Sequence, residues 1–290
     1  MKIILLGKNG LLGGCFMQVL AGFGEKFQTI AFSHSELDIT DFEKVKKTIL
    51  EQKPDMVINA VALMVDECEA DPQKAMAINA EGPKAIAEAC KEINAGFIQI
   101  STDYVFDGEK REGYSENDEV NPIDVYGESK LKAETYLQEV GGKNFIIRTS
   151  LLFGPNENNY VAKLVKAQRA GKEIFGATDQ AASPTYAMDL AESIVKQFIL
   201  EEREPAIYHL TNSESCTRYE LAQEVFKILK KDLEVKAITL SEIPRPARRP
   251  HYTILKNTKL EPLRSFREAL KVYLQLNFSK GKEGFWRAGR

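Results

Sequence analysis

The chain opens on an apolar run, "KIILL", closed by a glycine, and then changes to apolar residues spaced three and four apart in "LLGGCFMQVLAGF". The first pattern predicts a strand buried on both faces, the second a helix with one buried side. The alternation then repeats. "FQTIAF" predicts a second strand, and "ITDFEKVKKTILEQ" a second helix with Thr40 as N-cap and Glu43 completing a capping box. "DMVINAVA" predicts a third strand. "DPQKAMAINAEGPKAIAEACKEI" predicts one long helix, capped by Asp71 with Pro72 at its first position. "GFIQIS", a helix beginning within "NPIDVYGESKLKAE", and "NFIIRTS" continue the rhythm. Strands alternating with helices predict an α/β fold built on a Rossmann-type doubly wound parallel sheet. Past about Leu151 the rhythm loosens into helical segments such as "YAMDLAESIVKQFI" and "RYELAQEVFKIL", separated by short strands and by loops. That half is expected to fold back on the first.

Composition narrows the class. At 290 residues, with a formal net charge of −3 and a pI near 5.8, the chain lacks the basic surface that a general nucleic-acid or anionic-membrane binder needs. The cluster "PRPARRP" is therefore local, suited either to a phosphate or to a solvated loop. Cys15, Cys68, Cys90 and Cys216 show no CxxC or metal spacing, and His34, His209 and His251 are equally dispersed, so no metal is expected. "MKIILLG" is too short for a signal-peptide core and no stretch offers 18 uninterrupted apolar residues, which predicts a soluble cytoplasmic protein. In the basic tail "KGKEGFWRAGR", Phe285 and Trp286 could dock against the body.

Directly after the first strand stands "GKNGLLGG", a GxxGxxG spacing of Gly7, Gly10 and Gly13. Between a strand and a helix, such glycines allow a tight turn, a close pyrophosphate and a helix packed near the sheet, and the helix N-terminus offers free N–H groups. A dinucleotide is expected there, held by Gly7, Asn9, Gly10, Leu11, Leu12 and Gly13. An acidic residue at the end of the second strand normally binds the ribose 2'-hydroxyl and repels a 2'-phosphate. "AFSHSELDITD" puts Ser33 and His34 at that place with no carboxylate on guard, which favours NADP(H) and leaves NAD(H) possible. Asp38 and Ile39 are further candidates for the adenine side. Residues 1–150 are thus read as the dinucleotide-binding domain, and 151–290 as mainly substrate-binding with segments returning to the first.

Tyr126 and Lys130 lie four apart on one helix face, a spacing also found at Tyr252 and Lys256. Position separates the two pairs. Tyr126 follows the strand whose carboxyl end delivers Ser101, Thr102 and Asp103, where ligands bind in such sheets, whereas Tyr252 sits in a β-branched loop. At roughly 4 Å and an effective dielectric near 20, a lysine would favour a phenolate by about 4 kcal/mol. Tyr126 can then serve as general acid in carbonyl reduction, with Thr102 bonding the carbonyl oxygen and Lys130 also holding the nicotinamide ribose.

With these pieces placed, "GKNGLLG", "LDITD", "ISTDYVFDG", "YGESKLKAE", "IIRTSLLFG", "ATDQAASPT" and "ARRPHYTILKNTKL" closely resemble the extended short-chain dehydrogenase/reductases, and within them the dTDP-4-dehydrorhamnose reductase family. The resemblance implies NAD(P)H-dependent reduction of the 4-keto group of a dTDP-linked 6-deoxy-hexose, with Thr102, Tyr126 and Lys130 catalytic and Asp103 orienting. It adds Asn59, Ala60 and Ala62 to the cofactor site, and places Asp103, Val105, Leu151, Gln180, Ser183, Arg248 and Arg249 along the nucleotide sugar. A homodimer is possible, but Cys15 replaces a glutamate that some members use in a magnesium-linked dimer. Leu151 replaces a tryptophan, and "VALMVDECE" departs from the usual loop. These departures keep alive a reductase or epimerase on another nucleotide-linked sugar. A non-catalytic NADP-binding subunit, like the regulatory subunit of methionine adenosyltransferase, is the remaining alternative.

Overall fold

The computed structural model describes residues 1–278, so Phe285 and Trp286 lie outside the described residues. β1 (Lys2–Leu6) divides its apolar run between two layers: Ile3 and Leu5 join the cluster around Phe16 and Leu20, Ile4 and Leu6 the one around Val45, Ile49 and Ile86. Successive strand residues face opposite sides, so a strand covered on both has no polar face. The chain continues through α1 (Leu11–Ala21), β2 (Gln28–Phe32), α2 (Phe42–Gln52), β3 (Met56–Asn59), α3 (Val65–Ala70), α4 (Pro72–Met76), α5 (Gly82–Glu92), β4 (Gly96–Thr102), α6 (Val125–Val140) and β5 (Lys143–Thr149). After β6 (Leu152–Phe153), α7 (Tyr160–Arg169), β7 (Ile174–Ala177), β8 (Ala181–Ala182), β9 (Thr185–Tyr186) and α8 (Ala187–Ile194), it returns to the main sheet with β10 (Ile207–His209).

The sheet has six parallel strands in the order β10-β5-β4-β3-β1-β2. The chain moves outward from β1 to β2 and then crosses to β3 on the other side, which opens a crevice at the carboxyl ends of β1 and β3, where ligands enter such sheets. The doubly wound fold expected from the alternation is the fold observed. α8 packs on α1 through Leu190 and Ile194 against Phe16 and Leu20, so the second half contributes a helix as well as a strand to this body. The last stretch adds β11 (Asn212–Ser213), β12 (Cys216–Thr217), α9 (Arg218–Ile228), β13 (Val235–Ile238), β14 (Tyr252–Thr253), β15 (Leu263–Ser265) and α10 (Phe266–Phe278), which close a second core around Phe153, Tyr186, Phe226 and Tyr273.

Local chemistry shifts several expected boundaries. The N-cap of α2 is Asp41, which accepts from Lys44 N–H, and not Thr40, because Asp38 draws both the N–H and the hydroxyl of Thr40 into its own turn at 2.9 and 2.8 Å. β3 ends at Asn59, whose side-chain oxygen accepts Val61 N–H. The long helix from Pro72 carries a π-helical stretch, Ala77–Glu81, in its middle. Tyr252 stands in β14, paired with Ala181, so the second tyrosine-lysine pair is extended and not helical.

Candidate active site

The catalytic candidates meet where α6 touches the end of β4. Asp124 caps α6 by accepting Gly127 N–H at 2.7 Å. Gly127 is small for a reason, since a Cβ there would lie 2.2 Å from the Tyr104 carbonyl oxygen. That approach sets Tyr126, 9 % exposed, against Thr102 and edge-on to the Tyr104 ring, with centroids 5.8 Å apart. Thr102 donates to Asp103 Oδ1 at 3.0 Å, and Asp103 Oδ2 accepts the Ser150 hydroxyl at 2.6 Å. Burial raises the Asp103 carboxyl above the usual range, against the pull of Ser150, Thr253 and Thr102.

Tyr126 and Lys130 share a face, but their coupling differs from the expected one. The Lys130 ammonium, 2 % exposed, donates to the Ile100 carbonyl at 2.6 Å, and no hydrogen bond joins it to the phenol. Burial pushes Lys130 down to about 8, with Glu134 opposing. Burial pushes the Tyr126 phenol up from its ordinary value, and the Thr102 hydroxyl pulls it back only in part. In the free protein the phenol is a retained proton, not a phenolate. Behind the pair, Glu134 receives Arg148 at 2.9 and 2.6 Å and Ser101 at 2.5 Å, all inside the protein, and Arg148 reaches His209 on β10 at 3.4 Å.

The glycine loop is a cradle made of backbone. Gly7 has φ +88°, and Gly7 and Lys8 both donate their N–H to the Phe32 carbonyl, at 2.9 and 3.1 Å. A Cβ on Gly13 would sit 1.9 Å from the Gly7 oxygen, whereas one on Gly10 would meet only that oxygen, at 3.3 Å, and otherwise open space. α1 starts at Gly10 without a side-chain cap and without an acidic residue in its first turn. Its unpaired N–H groups beside an open space fit a pyrophosphate. Asn9 is exposed and Leu11 and Leu12 turn into the core beside it. Asn59, fully buried, donates to Gln99, and the Ala60 backbone lies where a Gly7 Cβ would come within 3.1 Å; Ala62 is exposed.

At the end of β2 the structure adds a residue that the sequence reading did not name. No carboxylate follows the strand directly, yet Glu36 folds back so that its side chain accepts both the N–H and the hydroxyl of the buried Ser33 at 2.7 Å, and pairs with Lys8 at 2.7 Å. His34 is solvent-exposed, 3.7 Å from Asp38, and Ile39 is buried against Gly82.

The expected substrate residues separate. Val105 is completely buried with Phe106, Tyr114 and Leu255, so it presents no surface to a ligand. Ser183 uses its hydroxyl to accept Leu255 N–H, and the Gln180 carbonyl accepts Arg218 N–H. Leu151 holds φ +40°, a left-handed conformation that costs a non-glycine residue about 1–2 kcal/mol. Arg249 is buried and reaches Asp66 at 2.8 Å, while its neighbour Arg248 faces solvent. The charges of Arg218 and Arg249 act both on Arg245, which is exposed, and on the Tyr104 phenol.

Sequence reasoning missed Arg218, Arg245, Asp124 and Asn79. Asn79 sits in the π-helical stretch, brackets Leu63 through both its N–H and its carbonyl, and donates to Ser129 at 3.0 Å, tying the loop after β3 to the Tyr126 helix. The available signal was an amide in an otherwise apolar helix face.

A sequence model of the RmlD substrate binding domain family matches residues 1–277. A dTDP-4-dehydrorhamnose reductase of Streptomyces griseus is 36% identical over 278 residues, 92% of this chain and 91% of that protein. Among solved structures, a dTDP-4-dehydrorhamnose reductase of Clostridium acetobutylicum superposes with a TM-score of 0.90 at 38% identity, covering 95% of this chain and 99% of that one. One from Bacillus anthracis, in complex with NADP, gives 0.89 at 32% identity, covering 94% and 98%. The match along nearly the whole chain, over the same fold, makes this protein a member of the dTDP-4-dehydrorhamnose reductase family.

Proposed function

We propose that this chain reduces the 4-keto group of a dTDP-4-dehydro-6-deoxy-hexose, converting dTDP-4-dehydrorhamnose to dTDP-L-rhamnose for cell-surface polysaccharide, with NADP(H) favoured and NAD(H) accepted. What supports the reading is the Tyr126 phenol hydrogen-bonded to Thr102, with the Lys130 ammonium on the Ile100 carbonyl of the same strand end, in a parallel sheet whose first helix starts without a side-chain cap. Bound cofactor supplies the hydride to the carbonyl carbon. The protein handles the oxygen. Tyr126 holds its proton until the oxygen becomes basic enough to take it, and the Lys130 ammonium then favours the phenolate left behind. Thr102 has one proton, given to Asp103 in the free protein, so bonding the substrate oxygen requires that hydroxyl to turn. Arg218, Arg245 and Arg249 offer a guanidinium cluster near Tyr104 and Asp103, suited to the diphosphate of the nucleotide sugar.

The test is NADPH oxidation by the purified chain with dTDP-4-keto-6-deoxy-L-mannose, with UDP- and GDP-linked 4-keto sugars in parallel arms. Turnover in the first arm with dTDP-rhamnose as product is expected. Turnover only with another nucleotide would move the assignment to that sugar, and none in any arm would overturn it.

A further inference from the structure

Three donors at the open ends of β1 and β2 converge on one anion. The Ser33 N–H and hydroxyl each donate to Glu36 Oε2 at 2.7 Å, and the Lys8 ammonium lies 2.7 Å from the same oxygen and 2.8 Å from Oε1. Lys8 is held in place from two sides, with Nζ 3.3 Å from the Ala31 carbonyl and its N–H on the Phe32 carbonyl. A local turn cap accounts for part of this. The Ser33 carbonyl accepts Glu36 and Leu37 N–H, and serine with glutamate three residues on is capping-box spacing. A cap does not account for Lys8, which comes from the glycine loop, 28 residues earlier in the chain. A backbone N–H, a hydroxyl and an ammonium around one anion form the donor set a phosphate monoester takes. They stand at the place in the fold where the 2'-substituent of an adenine ribose is read.

We propose, resting on the dinucleotide reading above, that Glu36 selects the cofactor: its carboxylate occupies the seat of the 2'-phosphate, accepts the 2'-hydroxyl of NADH there, and must rotate into solvent before NADPH can set its phosphate on Lys8 and Ser33. The side chain is 48% exposed, so the way out is open. Lys8 and Ser33 hold its carboxyl down to about 2, so protonation does not release it in any ordinary buffer.

The test is the dissociation constant of NADH and of NADPH, read by titration of the full chain without substrate, for wild type, Glu36→Gln and Lys8→Met. Glutamine keeps an oxygen for the Ser33 N–H, so the turn survives. Glu36→Gln is expected to shift the ratio of the two constants toward NADPH by on the order of tenfold, the scale of one charged hydrogen bond. Lys8→Met is expected to shift it toward NADH by a similar factor. A ratio unchanged in Glu36→Gln, with Lys8→Met weakening both cofactors alike, assigns Glu36 to capping and overturns the proposal. Wild type binding neither cofactor would overturn the dinucleotide reading beneath it.

Discussion

Lys130 and Tyr126 show how far burial alone sets the chemistry of a residue. The lysine is pushed down to about 8 because its charge is buried, and the tyrosine is pushed up for the same reason. The sign for activity follows. Lys130 keeps its proton below about 8 and loses it above, while the phenol stays protonated, so kcat/KM is expected to fall as pH rises through about 8. A kcat/KM profile flat to pH 10 would remove Lys130 from the account. The pairing of types was legible in the sequence, because spacing places residues four apart on one face. The partner of each polar atom was not, since the Ile100 carbonyl that takes the ammonium is 30 residues away in the chain. The same holds for Glu36. Its distance from the strand end hid a carboxylate that folding brings back to Ser33 and Lys8.

At the scale of elements, the glycine loop and α1 act as one piece. The Gly7 oxygen lies where a Cβ on residue 13 would be, so Gly13→Ala forces either the loop or the helix to move. The expected cost is about 1–3 kcal/mol of stability, the range for overpacking, together with weaker cofactor binding. Thermal denaturation and a fluorescence titration with NADPH check both parts; wild-type values in both would show that the contact is dispensable. Periodicity located this strand, loop and helix well because the β1 run is apolar without a break and the turn needs glycine. It overran β3 and missed the π-helical stretch, because Asn59 and Asn79 act through side-chain bonds that no periodic pattern records.

Across the whole molecule, the buried Glu134–Arg148 pair joins α6 to β5, and through His209 to β10, the strand contributed by the second half. Removing one member leaves the other charged and buried, so Arg148→Met is expected to cost about 3–5 kcal/mol in urea unfolding, with Glu134→Leu in the same chain restoring much of it. A single variant as stable as wild type would mean that the network carries no weight. That segments after Leu151 return to the first half was expected from the loosened rhythm, but which ones was not legible, since β10 is three residues long and finds its place by pairing with β5. The central claim, that the Tyr126 proton serves a reduction in this crevice, is tested most directly by comparing wild type with Tyr126→Phe in single-turnover reduction of dTDP-4-keto-6-deoxy-L-mannose and in NADPH titration. The account predicts a rate lower by on the order of 100-fold or more with the NADPH dissociation constant within about twofold, the usual scale for a lost general acid. An unchanged rate would contradict it.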